Sequence, residues 1–193
     1  PAITKWNLSR FAESLVPLID KNVDIAIKSA TELIDTFGEK YEEKWLNMMR
    51  KKLGFLGVEN KDKFLIVDLL TWMHQKKVDY TNTFCNLMNM KTTEDKNYED
   101  VDFKNWKKRW IERLRTSNNT TEKYLKLMRS VNPLVIPRNH KVEEALETAE
   151  QGDFKSVIKI IEILKKPYLQ KKNIIEYQIP STFDKNYQTF CGT

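Results

Sequence analysis

Apolar side chains recur every three or four residues along most of this 193-residue chain, and only five glycines and six prolines interrupt them. That spacing lines one face of an α-helix, whereas strands need strict alternation and closer turn punctuation. The chain is therefore expected to fold as an all-α, irregular bundle of about seven to eight helices. Its length suffices for one sizeable core.

Phe11, Leu15, Leu18 and Ile19 mark the first helix, which Pro17 should kink because proline removes a backbone donor. Asn22 or Asp24 restarts the chain. Ile27, Ala30, Ile34, Phe37, Tyr41, Trp45 and Met48 then form a stripe on one long helix that ends near Leu53-Gly54, with Gly38 as its weak point. Asn60 is expected to cap a helix over 62–77 that turns Ile66, Leu69, Leu70 and Met73 inward. A shorter helix starts near Tyr80, and the aperiodic polar stretch 91–100 reads as a solvated loop open to proteolysis.

Phe103, Trp106, Trp110 and Leu114 share the next helical face, Ser117-Asn118-Asn119 break it, and Thr121 opens a short helix through Met128. Pro133 and Pro137 frame an extended connector. Val142, Leu146 and Ala149 are expected inward on the following helix, with Gly152 at its C′ position. Asp153 then caps a helix bearing Val157, Ile158, Ile161 and Leu164, which Pro167 stops. Residues 1–167 thus read as one helical domain and 168–193 as an extended surface tail.

Chemistry is sparse in this pattern. Gly54-Phe55-Leu56-Gly57 lacks the third glycine and the Lys-Ser/Thr of a phosphate loop and reads as a helix end. His74 and His140 stand far apart without a ligand cluster, so no metal is expected. Acidic pairs such as Glu42-Glu43 and Glu143-Glu144 fit solvated helix faces. No catalytic or cofactor-binding residue emerges.

Cys85 falls in an apolar helix and reads as a buried, inert thiol. Cys191, near the end, packs nothing by pattern and is the redox candidate, expected to be exposed. Two cysteines so far apart are the usage of a reducing compartment, so a cytoplasmic location is expected. The opening residues lack a secretory layout, and no apolar run approaches the ~20 residues of a membrane helix.

The formal charge of +6 permits contact with nucleic acid without requiring it. Lys104, Lys107, Lys108, Arg109, Arg113 and Arg115 interleave with Trp106 and Trp110 as a basic cluster. Both tryptophans fall in the apolar stripe, so they belong to the core, and a nucleic-acid partner is disfavoured. Lys104, Lys108 and Arg115 are left on an exposed flank.

Several stretches together resemble one family: 1–15, Met49-Arg50-Lys51-Lys52-Leu53-Gly54, Val78-Asp79-Tyr80-Thr81, and 131–149 with its Asn132-Pro133 and Arg138-Asn139. The Gly152-Asp153 turn, Lys166-Pro167-Tyr168 and the terminal Cys191 complete the likeness, which is to the C-terminal portion of the selenoprotein O family. That resemblance implies a pseudokinase-fold protein adenylyltransferase that uses ATP and magnesium to transfer AMP to protein hydroxyls. The fold it implies here is the C-terminal part of a kinase-like C-lobe plus family-specific helices.

The family's nucleotide- and metal-binding motifs precede the stretch that Pro1 matches, so none carries over. The chain alone is expected to be inactive and to partner the missing N-terminal catalytic part and, through it, protein substrates. Cys191 matches the family's antepenultimate redox position. Arg138 and Asn139 are expected to be structural or interlobe residues, with Asn139 a helix N-cap and Arg138 a bridge. A stand-alone helical interaction module is the alternative from another class.

Overall fold

The computed structural model describes residues 1–89, 95–116, 120–170 and 174–181. All regular elements among them are helical, and the chain divides into two compact units, Pro1–Met49 and Arg50–Thr193. Each is described by itself. Residues 171–173 and 182–193 of the expected tail lie outside the described residues, as do Ser117-Asn118-Asn119 and residues 91–94 of the expected solvated loop.

In the first unit, α1 (Ala2–Ile19) and α2 (Val23–Asp35) form an antiparallel hairpin clasped at its open end by Lys5 and Asp35, 3.1 Å apart. Asn22 caps α2 by accepting the N–H groups of Asp24 and Ile25, satisfying two of the orphan donors that every helix start exposes. Pro17 sits inside the last turns of α1. The single long helix expected next is two: α2 stops at Asp35, Thr36 intervenes, and α3 runs Phe37–Lys52. Thr36 folds its hydroxyl back onto the Leu33 carbonyl at 2.7 Å, a local bond that competes with helix continuation.

Helix α3 ends as the sequence indicates. Gly54 adopts φ +78°, its N–H donates to the Lys51 carbonyl, and the Phe55 N–H donates to the Arg50 carbonyl at 2.9 Å. This paired arrangement satisfies the last carbonyls and suits glycine, which pays no Cβ penalty at positive φ.

The second unit continues with α4 (Asp62–Lys76), α5 (Tyr80–Leu87), a 3-10 turn (Lys96–Glu99) and α6 (Val101–Thr116). Then follow α7 (Thr121–Val131), α8 (Asn139–Glu150), α9 (Lys155–Leu164) and α10 (Ile175–Gln178). Asn60 does not cap α4. Lys61 holds that position, and the carboxylate that closes the turn is Asp62's own, accepting the Glu59 N–H at 2.9 Å.

Phe103, Trp106 and Trp110 are buried, as their spacing requires, and pack with Trp72 into an aromatic row with centroids 4.6 to 6.0 Å apart. Each of two indoles reaches a backbone acceptor, Trp106 Nε1 to Leu65 O at 2.8 Å and Trp110 Nε1 to Leu53 O at 2.9 Å. A buried N–H left unpaired would cost about 1–3 kcal/mol, so these bonds fix the rotation of α6 against α4 and the end of α3.

Three other expectations shift. Tyr98 of the supposed loop is anchored, its hydroxyl 3.0 Å from Thr83 Oγ1 and its ring against Trp72 and Phe103. Helix α8 buries Ala145, leaving Leu146 half exposed, and α9 buries Ile163 while Ile158 and Ile161 face outward. Residues 174–181 are not simply extended, because α10 is tied down through a buried Gln178. Gly152 stands at the C′ position of α8 with φ +88°, as expected, but Phe154 and not Asp153 is the N-cap of α9; Asp153, one residue earlier, accepts the Lys155 N–H on Oδ1 at 3.0 Å.

Candidate functional site

Residues 132–138 leave α7 and enter α8 as extended backbone, with Pro133 and Pro137 excluding helix. Extended backbone buried in a core must find partners outside itself. Here Cys85, Gln178 and Pro167 meet the backbone, and the Asn132 side chain adds a fourth tie. Asn132 Nδ2 donates to Lys52 O at 2.9 Å, and Cys85 Sγ donates to Pro133 O at 3.6 Å. Gln178 Nε2 donates to Leu134 O at 2.9 Å, and the Leu134 N–H donates to Pro167 O at 2.8 Å.

Arg138 closes this connector. Its Nη1 donates to Asp79 Oδ2 at 2.8 Å, Nη2 to Asp79 Oδ1 at 3.0 Å, and Nε to Tyr177 O at 3.3 Å. Asp79 is the N-cap of α5, accepting the Asn82 N–H at 2.8 Å, and Asn82 Nδ2 in turn donates to Gln178 O at 3.0 Å. One guanidinium thus joins α5, the connector and α10. Burial acts to raise the Asp79 pKa, but the Arg138 and Asn82 hydrogen bonds outweigh it and hold the carboxyl below its ordinary value.

Asn139 is not the N-cap of α8. Arg138 occupies that position with extended backbone (φ −76°, ψ 130°), and no side chain caps the helix. The Arg138 side chain is turned instead to Asp79.

A second node lies at the start of α4, where the Asp62 side chain is wholly buried. It accepts Arg113 Nε at 2.7 Å and Arg50 Nε at 2.8 Å. Burial acts to raise its pKa, and the bonds from Arg113, the Glu59 N–H and Arg50 bring it below the ordinary value. The guanidinium of Arg113 also lies 4.7 Å from the Phe55 ring centroid.

Half of the basic cluster on α6 is paired with carboxylates. Arg113 pairs with Asp62, Arg109 with Asp68 at 2.8 Å, and Lys104 with Glu99 at 2.8 Å. Lys108 and Arg115 are exposed. Cys85 is fully buried, and burial first, then Asp79, pushes its thiol up to about 11. Lys52 is also buried, its ammonium 4.5 Å from the Phe84 centroid and 5.4 Å from that of Tyr80, and desolvation lowers its pKa.

His74 lies in the last turn of α4 and His140 in the first of α8, and the two join no common site. Among the described residues no group of three His, Cys, Asp or Glu side chains could hold a metal ion. The open groove between α4 and α6 is lined by Asp68, Thr71, Gln75, Asp102, Asn105 and Arg109. Its arginine is already paired with Asp68, and Asp102 adds negative charge, so the lining does not fit a triphosphate. Cys191 lies outside the described residues.

The profile of the family described as "Protein adenylyltransferase SelO" matches residues 1–165. The chain belongs to the SelO family. A protein nucleotidyltransferase YdiU from Pelagibacter ubique is 54% identical over 194 aligned positions, covering 100% of this chain and 40% of that relative. YdiU proteins from Alcanivorax borkumensis and Clostridium perfringens are 45% and 41% identical over the whole chain, again across 40% of their length. The chain thus spans about two-fifths of the curated SelO relatives it matches. Among the described residues no helix is long and apolar enough to cross a membrane.

Proposed function

We propose that this chain is the C-terminal helical portion of a protein adenylyltransferase, which transfers AMP from ATP to Ser, Thr or Tyr hydroxyls of proteins and releases pyrophosphate. The observation that carries the reading is the coverage: the chain aligns end to end with nucleotidyltransferases yet spans 40% of their length. Nucleotidyl transfer needs a triphosphate cradle and metal carboxylates. Both nodes of buried arginine and aspartate are internally paired, which suits a scaffold for chemistry carried elsewhere in the polypeptide.

In this reading ATP and magnesium bind the preceding catalytic part, which is the chain's partner, and protein substrates are met through it. Arg138 holds the connector, and Cys191 is a redox-active thiol of a cytoplasmic enzyme. The test is label transfer from α-32P ATP with magnesium to an acceptor protein. The chain alone should give no label, and the same chain preceded by the remainder of its polypeptide should give it. Label from the chain alone would overturn its proposed inactivity, and no label from the longer protein would sink adenylyl transfer.

A further inference from the structure

Helix α1 has the composition of an interior helix and the exposure of a surface one. No residue of α1 is buried, although only Lys5, Arg10 and Glu13 among its 18 residues are charged. One side serves the hairpin. Ser9, Ala12 and Val16, spaced i, i+3, i+7, are half-buried, in line with Lys5, whose ammonium reaches Asp35 of α2. Roughly a third of a turn around the helix, Leu8, Phe11 and Leu18 are 38%, 59% and 81% exposed, in a row that half-buried Leu15 completes. A further third of a turn on, Ile3 and Trp6 are 73% and 59% exposed. Arg10 shares that side, its guanidinium 5.9 Å from the Trp6 ring centroid, and it pairs with Glu13.

An isolated exposed apolar residue is ordinary, but a helix apolar on several sides belongs to the core of a larger fold. Within the hairpin α2 covers one side of α1. A second copy of the chain is a poor occupant of the rest: a twofold contact lays like helices together along one shared stripe and leaves the other side in water. The cover has to come from more than one direction. The longer relatives contain a body large enough to supply it, because this chain aligns over its whole length with only 40% of a SelO protein to which it is 54% identical.

We propose that α1 is an interior helix of the longer polypeptide, with α2 on one side and the preceding catalytic part closing over both the Leu8–Phe11–Leu18 row and the Ile3–Trp6 side. This rests on the proposed reading of the chain as a portion of a longer protein, and not on adenylyl transfer.

Carbene footprinting with a photolysed diazirine, read residue by residue by mass spectrometry, tests the proposal on the chain alone and on the chain preceded by the remainder of its polypeptide. Ile3, Trp6, Phe11 and Leu18 should label strongly in the chain alone, whatever its concentration. In the longer protein their labelling should fall about tenfold or more, since a core residue keeps only a small part of its accessible area. Phe11→Ser should leave the urea midpoint of the chain alone unchanged and lower that of the longer protein by about 0.5 M or more. Equal labelling in the two proteins, or an equal effect of the substitution, would overturn the proposal. So would a fall along the Leu8 row with Ile3 and Trp6 still labelled, which makes α1 a docked surface helix. Protection already present in the chain alone, or growing with its concentration, would assign the cover to this chain or to a second copy and overturn it equally. Footprint and AMP transfer are scored separately: a protected α1 in a longer protein that transfers no AMP would sink the adenylyl chemistry and leave the interior helix standing.

Discussion

Arg138 and Asp79, 59 positions apart, meet as a two-bond fork at 2.8 and 3.0 Å that ties the start of α8 to the N-cap of α5. The Arg138 side chain is 8% exposed and that of Asp79 22%, so water replaces the lost partner only in part if either is removed. Arg138→Ala should therefore cost about 3 kcal/mol, at the lower end for a broken buried pair. Arg138→Lys keeps the charge but not the planar fork and should cost about 1–2 kcal/mol. Urea unfolding followed by far-UV circular dichroism measures both, and an alanine variant within ~0.5 kcal/mol of the parent would show that the fork does not hold the connector.

Acid should unfold the protein through two carboxyls. Asp62 and Asp79 are both held below their ordinary pKa in the folded state. A depressed native pKa stabilises above the unfolded value of about 3.9, and that contribution is lost as pH falls through the native value. The urea midpoint should thus be insensitive to these groups from neutral pH down to about 5 and drop below about 4. Asp62→Asn should flatten the drop while lowering stability at pH 7. An undiminished slope in that variant would rule Asp62 out as a source of it.

Cys85 supplies the opposite limb. Its thiol is pushed from 9.0 up to about 11, so burying it neutral contributes stability that is present below 9.0 and lost as pH rises towards 11. The same burial should make it inert. In a Cys191→Ser chain the remaining thiol should react with an aromatic disulfide roughly 100-fold more slowly than after denaturation. A native rate equal to the denatured one would contradict the packing of Cys85 beneath Pro133.

Much of this architecture is legible in the residue order, because one helical face per segment is a strong periodic signal. Trp106 and Trp110 fall in phase, and so does the Gly152-Asp153 turn. The two polar nodes are less legible. Arg113 stands three residues after Trp110, and Asp62 four before Ile66, so each lies on the buried face where a charge must be paired. That phase was the available signal. Nothing in the order says which arginine meets which aspartate, since 51 positions separate Arg113 from Asp62 and only tertiary packing brings them together. The outward turn of Ile158 and Ile161 was equally hidden, because α9 is apolar around most of its circumference and periodicity does not choose a face.

Three glycines make a graded test of backbone freedom against space. Gly38 lies within α3, where an added Cβ meets nothing within 4 Å. Gly38→Ala should stabilise by about 0.5–1 kcal/mol, since alanine loses less freedom in a helix. Gly152 has equally open space but φ +88°, so alanine there meets backbone strain alone and should cost about 1–2 kcal/mol. Gly54 combines φ +78° with crowding: a Cβ would lie 3.1 Å from Met128 Cγ and Sδ and 3.2 Å from Tyr124 Cβ on α7. Met128 is itself fully buried and has little room to withdraw. Gly54→Ala should be the most damaging, about 2–4 kcal/mol, with strain and overpacking added. Met128→Ala in the same chain should not restore stability, because it removes the steric part and leaves both the left-handed backbone and a new cavity. Thermal unfolding of the three single variants ranks them, and a Gly54→Ala chain no less stable than Gly152→Ala would show that α7 does not press on this turn.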